Sequence, residues 1–316
     1  MRSRALEEAR PTRKVVGVGL ACLDQLILWR DMKAPVQGNE ILEFATQGGG
    51  MVGTALVAVT RLGGAAEFWG AIGTDWMGDQ ILDGLAQEGV DTSQVQRVEG
   101  ARGPMVLVCV DQPTGERHFL YSTGFHGSER PIGSIERLRD AGCLLVDGTH
   151  PASAVRAAEE ARRLGVPVVA DVGWIGEETR GLLTHVDYAI ASEGCARSLG
   201  AGDDFPNACD LIRAMGPRHV VITLGSKGLV SLSGGQFARL DAFPVEVVDT
   251  TGAGDTFHGA FCYALVRGFP MHRNLVFASA AAALKCRRLG GRAGIPTLDE
   301  VDQFLHDCGI ELFDLC

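Results

Sequence analysis

The run Val247–Gly259, VVDTTGAGDTFHG, carries the densest chemistry in the chain. Gly252, Ala253 and Gly254 have so little side chain that their backbone N–H groups can close on a ligand. The segment after them predicts a helix, whose positive end points at the same spot. A loop of this kind can hold a phosphate while charge builds during a transfer reaction. Asp255 stands at the start of that helix, where its carboxylate can face an incoming hydroxyl and accept its proton. Read locally, Asp255 is also a helix cap after a glycine turn, which is the commoner use of a Gly-x-Gly-Asp tetrapeptide.

Three other stretches carry weaker signals. Gln47–Gly53 (QGGGMVG) precedes a helix of small residues, and taken alone its Gly48, Gly49 and Gly50 read as a loop-to-helix turn. Thr223, Leu224, Gly225, Ser226, Lys227 and Gly228 end an apolar strand and read as a strand-to-turn connection. Asp24 follows the first strand, where it reads as a solvated turn residue. Gly17-x-Gly19-x-x-Cys22 falls short of a dinucleotide fingerprint, because a cysteine stands where the third glycine belongs. The histidines form no cluster, and His258, one turn inside the helix, reads as packed.

The elements that must position these residues follow from periodicity. Lys14–Leu20 reads as a buried strand, and 26–46 as a hairpin or flap around Pro35 and Gly38. Met51–Leu62 reads as a helix closed by Gly63-Gly64, Ala66–Ile72 as a strand, and Gly78–Gly89 as a helix. Met105–Val110 and Arg117–Tyr121 flank the turn-rich Asp111–Gly115 and predict a second hairpin that joins the flap. From 143 onward strands and helices alternate, which predicts a parallel sheet with helices on both faces. An antiparallel pair (228–232 and 236–241) follows, then helices over Asp255–Arg267, Arg273–Arg288 and Leu298–Cys308. The expected architecture is α/β in three layers, one domain over 14–316 with a small β-lid from segments near 22–46 and 102–123, and a tail at 1–13.

Composition narrows the function classes. The 316 residues are 46% hydrophobic and 22% charged, enough for a sizeable core and ordinary for a globular protein. A net charge of −10 argues against general attraction to nucleic acid or anionic membrane. Nine cysteines without a CxxC pair read mostly as buried reduced thiols, and no zinc-ligand spacing joins them to histidine. The charged start MRSRALEEARPTRK lacks the apolar stretch of a secretory signal, so the expected location is cytoplasmic.

The long match DTTGAGDTFHGA resembles the C-terminal signature of the ribokinase-like (PfkB) superfamily of carbohydrate kinases. The resemblance covers roughly 14–308 and implies transfer of the ATP γ-phosphate to a hydroxyl of a small sugar. Asp255 would be the base, the amides of Gly252, Ala253, Gly254 and Asp255 the anion hole, and Mg²⁺ the bridge between phosphates. It further implies sugar contacts at Asp24, Gly48, Gly49 and Gly50. Nucleotide contacts are implied at Thr223, Gly225, Ser226, Lys227, Gly228, Gly254 and Ser279. A monovalent-cation site, for K⁺, is implied around Asp249, Thr251, Lys285, Arg288, Gly290 and Gly294, although Lys285 and Arg288 also read as ordinary helix C-terminal cations. Ile72-Gly73-Thr74-Asp75 with Gly78 matches a structural G-x-D-x-x-G turn of the family.

Two departures stand out. The asparagine usual after the double glycine is Gly53, and the usual N-x-x-E is Ser192-Glu193-Gly194-Cys195, where Glu193 could substitute only through a shifted turn. Phe277–Pro296 (FASAAAALKCRRLGGRAGIP) looks like the branch containing sulfofructose kinase, with ketohexokinase more distant. Lid sheets in this family often pair between subunits, which implies a homodimer through the lid. The rival readings are a nucleoside kinase, with Phe44, Phe119, Tyr121 and Phe125 as base-stacking aromatics, a non-catalytic ligand sensor and, more distantly, a dinucleotide-dependent oxidoreductase.

Overall fold

The computed structural model describes residues 13–31, 40–112, 117–122 and 133–311. β1 (Lys14–Val18) leads into a protruding pair, β2 (Cys22–Trp29) and β3 (Ile41–Gly49), and then into α1 (Met51–Arg61). β4 (Ala66–Trp69), β5 (Ala71–Gly73), α2 (Trp76–Gln87) and β6 (Gln96–Val98) follow, before the hairpin of β7 (Met105–Asp111) and β8 (Arg117–Ser122). A regular alternation then runs through β9 (Ala141–Val146), α3 (Pro151–Arg163), β10 (Val168–Val172), α4 (Glu177–Leu183) and β11 (Tyr188–Ser192). It continues through α5 (Glu193–Ala196), α6 (Phe205–Arg213) and β12 (His219–Thr223). β13 (Leu229–Ser233), β14 (Gln236–Leu240), α7 (Ala253–Val266), α8 (Met271–Lys285) and α9 (Leu298–Asp307) are the last elements among the described residues.

Eight strands form the main sheet in the order β14-β13-β12-β11-β10-β9-β1-β4, all running the same way except β13, which pairs antiparallel with both neighbours. Because side chains alternate along a strand, the central strands are apolar throughout and feed two cores. Cys143 and Leu145 of β9 pack with Leu56, Phe261, Phe277 and Leu305 of α1, α7, α8 and α9. Leu144 and Val146 pack on the other face with Ala158, Leu182 and Ile212 of α3, α4 and α6. The three-layer α/β architecture expected from the alternation is therefore present.

The two hairpin segments combine into a second sheet ordered β3-β2-β7-β8, the expected lid. Its registers pair Asp24 with Gln47 and Val106, and Val106 with Tyr121, so these four share one face. Ile27, three residues beyond Asp24, pairs with Phe44 and Cys109, and the odd separation places Phe44 on the opposite face. Asp24 thus lies within a strand and not in a turn.

Two local expectations change. The single strand expected over Ala66–Ile72 is divided at Gly70 into β4, in the main sheet, and β5, which pairs with β6 in a separate ribbon. A Cβ at Gly70 would come 2.6 Å from the Phe68 ring, so the chain bends where only glycine fits. The expected structural turn is a helix cap: Asp75 accepts from Gly78 N at 2.9 Å and Gly103 N at 2.8 Å.

Candidate active site

Four loops meet where the lid joins the main sheet, and glycine makes the approach possible. A Cβ at Gly49 would overlap the Asp24 carboxylate, and one at Gly48 would overlap the Arg292 guanidinium. Gly50 has φ of 87° and lies against the Leu20 carbonyl, a conformation and a spacing that exclude a side chain. Gly252, with φ of 76°, packs on the Gly291 carbonyl, which brings the GAGD loop against the GGRAG loop. Gly254 is exposed, and nothing lies within 4 Å of where its Cβ would be, so the loop opens to solvent there. α7 begins at Ala253, two residues before the expected start, which sets Asp255 in its first turn.

Asp255 keeps part of its surface open, yet dense packing around its carboxylate removes hydration and holds its pKa well above the ordinary value. Nearby Asp171, Asp24 and Asp147 push it in the same direction, and Arg292 opposes them. Burial also raises Asp24, against the lowering influence of the Cys22 thiol, which donates to it at 3.2 Å, and of Arg292. Asp147 is fully buried at the end of β9 and accepts from Leu20 N and Thr149 N, each at 2.8 Å. Asp171, on β10, lies 3.6 Å from His258 Nε2, whose other ring nitrogen bonds the Gly254 carbonyl at 2.7 Å. His258 is packed as expected, and it ties the Gly252–Asp255 loop to β10. Asp147, Asp171 and Arg292 were not singled out from sequence, because their partners lie far away in the chain.

The expected nucleotide element sits at the end of β12. Thr223 Oγ1 donates to the Ala191 carbonyl at 3.3 Å, and Gly225 and Gly228 take positive φ of 58° and 85° on either side of exposed Ser226 and Lys227. Lys227 Nζ bonds Glu193 at 2.9 Å, and Arg197 bonds the same carboxylate at 2.8 Å. Glu193 is thereby held as the centre of an ion-pair cluster. Ser192 accepts from Cys195 N at 3.1 Å, so Ser-Glu-Gly-Cys is a helix cap. Ser279 is half-buried between fully buried Ala278 and Ala280 on α8.

The expected monovalent-cation site requires a correction. Lys285 is fully buried, and its ammonium donates to the Asp249 carbonyl at 2.8 Å and lies 3.9 Å from the Asp249 carboxylate. That carboxylate also accepts from Thr251 N at 2.9 Å, Thr251 Oγ1 at 2.8 Å and Gly290 N at 2.8 Å. Burial raises the Asp249 pKa, but these donors and the Lys285 charge together bring it below its ordinary value. Arg288 points elsewhere, with a 66% exposed side chain 3.8 Å from Glu300, and Gly294 packs on the Lys285 carbonyl. A positive charge built into the chain stands where K⁺ was expected, so the residues do not fit an added cation.

A family model described as pfkB family carbohydrate kinase matches residues 12–298. The ribokinase of Schizosaccharomyces pombe is 31% identical over 276 residues, 82% of this chain and 86% of the relative. A nucleoside kinase of Methanothermobacter thermautotrophicus is 26% identical, covering 95% of this chain and 98% of the relative. The structure of Arabidopsis thaliana ribokinase complexed with ribose and ATP superposes with a TM-score of 0.85 at 26% identity, over 93% of this chain and 99% of that one. These similarities carry the family and not the sulfofructose kinase branch within it. The chain belongs to the pfkB family of carbohydrate kinases.

Proposed function

We propose that the protein transfers the γ-phosphate of ATP to a hydroxyl of a small sugar or sugar derivative, with Asp255 as general base. The observation that carries this reading is Asp255 in the first turn of α7, beside Asp24 and behind a glycine loop open to solvent. A carboxylate with a raised pKa is a better proton acceptor than an ordinary one, and so suits removal of a hydroxyl proton. The backbone amides of Gly252, Ala253, Gly254 and Asp255, at a helix N-terminus, would receive the charge of the transferring phosphoryl group. Asp24, Gly48, Gly49 and Gly50 would line the sugar side. Thr223, Gly225, Ser226, Lys227, Gly228 and Ser279 would border the nucleotide. Mg²⁺ would neutralise phosphate charge and would be held mainly by the phosphates, since no group of three or more metal-ligating side chains is assembled among the described residues. No monovalent cation is required, because Lys285 supplies that charge.

The test is ADP release from ATP and Mg²⁺ over a panel of keto- and aldo-sugars, sulfonated sugars and nucleosides. Turnover with a sugar supports the reading; turnover confined to nucleosides, or none at all, sinks it. The nucleoside reading has some support, because Phe119 and Tyr121 are exposed on the face that carries Asp24. Phe44 lies on the other face, and Phe125 is outside the described residues. We further propose a homodimer through the lid, where Phe44 and Leu120 expose apolar surface and β3 and β8 are sheet edges. No helix among the described residues is long and apolar enough to cross a membrane. Eight unpaired thiols there fit a cytoplasmic setting.

A further inference from the structure

Two side chains of α7 fold back four residues onto the carbonyls of Gly252 and Gly254. Thr256 Oγ1 donates to the Gly252 carbonyl at 2.8 Å, and His258 Nδ1 bonds the Gly254 carbonyl at 2.7 Å. A carbonyl only accepts, so Nδ1 of His258 carries a hydrogen. Both bonds add to the backbone bonds that the helix supplies at these carbonyls. The two peptide units differ at their other ends. The unit joining Gly252 to Ala253 is closed, because Ala253 N donates to the Thr250 carbonyl at 3.1 Å. The unit joining Gly254 to Asp255 is open, because Asp255 N–H has no bonded partner among the described residues.

A trans peptide is planar, with its C=O and N–H pointing opposite ways, so whatever fixes the Gly254 carbonyl also aims Asp255 N–H. The aim needs fixing. Gly254 is exposed, has open space around it and has no Cβ to restrict its dihedrals. His258 is itself firmly held. It is only 5% exposed, and its Nε2, buried without a hydrogen-bond partner among the described residues, lies 3.6 Å from Asp171 of β10. A hydrogen on Nε2 or on the Asp171 carboxyl makes that contact attractive. We propose that His258 is a positioning residue for phosphoryl transfer: through Nδ1–H it holds the peptide between Gly254 and Asp255 so that Asp255 N–H meets the charge developing on the transferring group. His258 does not touch that group and acts through the amide alone. A donor fixed in advance helps most where charge develops, so the effect belongs to kcat and not to ground-state binding.

This inference rests on the kinase reading, and the experiment separates the two. Asn can place a donor nitrogen where His258 carries Nδ1, and Leu has nearly the shape of Asn without any donor. Both are too short to span to Asp171, so comparing His258→Asn with His258→Leu isolates the bond to Gly254. With the acceptor that the native chain turns over best, kcat of His258→Leu is expected about tenfold below that of His258→Asn. The loss is smaller than the ~10²–10³-fold cost of removing a donor outright, because a loosened amide still finds its aim part of the time. KM for the acceptor and Kd for ATP should agree between the two variants within about twofold. ADP with aluminium fluoride, a mimic of the transferring group, should bind about tenfold more weakly to His258→Leu than to His258→Asn. If His258→Leu does not fold, His258→Gln, which reaches toward Asp171 but has no donor at the Nδ1 position, takes its place. Equal kcat in the two variants overturns the assignment, and so does a loss confined to KM or one that follows the melting temperature. A native chain that phosphorylates no acceptor fails earlier, by overturning the kinase reading itself.

Discussion

Asp255 is held where its charge costs stability, and the proposed base role would make use of that charge. Its folded pKa lies above the value of an unfolded carboxylate, so the folded chain binds the proton more readily. Stability attributable to Asp255 therefore falls as pH rises from the ordinary carboxylate range through the raised value. Asp255→Asn removes that burden while keeping size, so its melting temperature at neutral pH should equal or exceed that of the native chain. Asn cannot accept the proton, and kcat should fall by ~10²–10⁴-fold with ATP binding retained. A folded, ATP-binding variant with near-native turnover would show that Asp255 is only a cap. The same raised pKa sets the pH profile. kcat/KM should fall on the acid side at a pH above the ordinary carboxylate range, because the protonated base is inactive. Asp171→Asn removes a negative neighbour and should move that limb to lower pH. Arg292→Met removes the opposing positive charge and should move it up. A limb that stays in place in both variants would detach the profile from Asp255. At this scale the sequence revealed Asp255 and Gly252, because the GAGD pattern is local. Arg292, whose partners Gly49 and Thr54 stand more than 200 residues away, left no comparable local pattern.

At the scale of elements, the end of α8 and the loop before α7 act as one unit. Val248 N and Asp249 N both bond the Cys286 carbonyl, and Lys285 and Gly290 close on Asp249 from the other side. The bonds lace together the segment before the Gly252–Asp255 loop and the end of α8, with the ammonium of Lys285 at their centre. Turnover should accordingly be the same in potassium, sodium and choline salts at matched ionic strength. A saturable activation by K⁺ in the native enzyme would refute the built-in cation. Lys285→Met leaves Asp249 with a charge whose partner is gone, a loss of about 3–5 kcal/mol for a buried pair, read from the urea midpoint. Part of this was legible. Lys285 follows Ala278 and Ala281 at helical spacing on a buried face, which a solvated helix-end cation would avoid. Arg288, three residues on, looked equivalent in sequence and is exposed, because α8 has already ended. The division of 66–72 at Gly70 was less legible, since it depends on the Phe68 ring, whose position is set by the core.

At the scale of the whole molecule, the lid presents two different faces. Asp24, Phe119 and Tyr121 share one, and Phe44 and Leu120 share the other. The alternation of the hairpins made both the lid and its joining legible. Which face meets substrate depends on the pairing of β2 with β7, whose sequence positions are some 80 residues apart. If the Asp24 face closes over the cleft, the Phe44 and Leu120 face is left for a second copy of the chain. Phe44 is 59% exposed and Leu120 63%, so a charge at either position should disturb little inside one subunit. Phe44→Glu combined with Leu120→Lys should therefore convert a dimer to a monomer by light scattering, with the melting transition of the subunit retained. Phe119→Ser and Tyr121→Ser should do the reverse, raising KM for the acceptor while the mass stays dimeric. A native chain that is monomeric at micromolar concentration would remove the dimer. A loss of dimerisation confined to the Phe119 and Tyr121 variants would exchange the roles of the two faces.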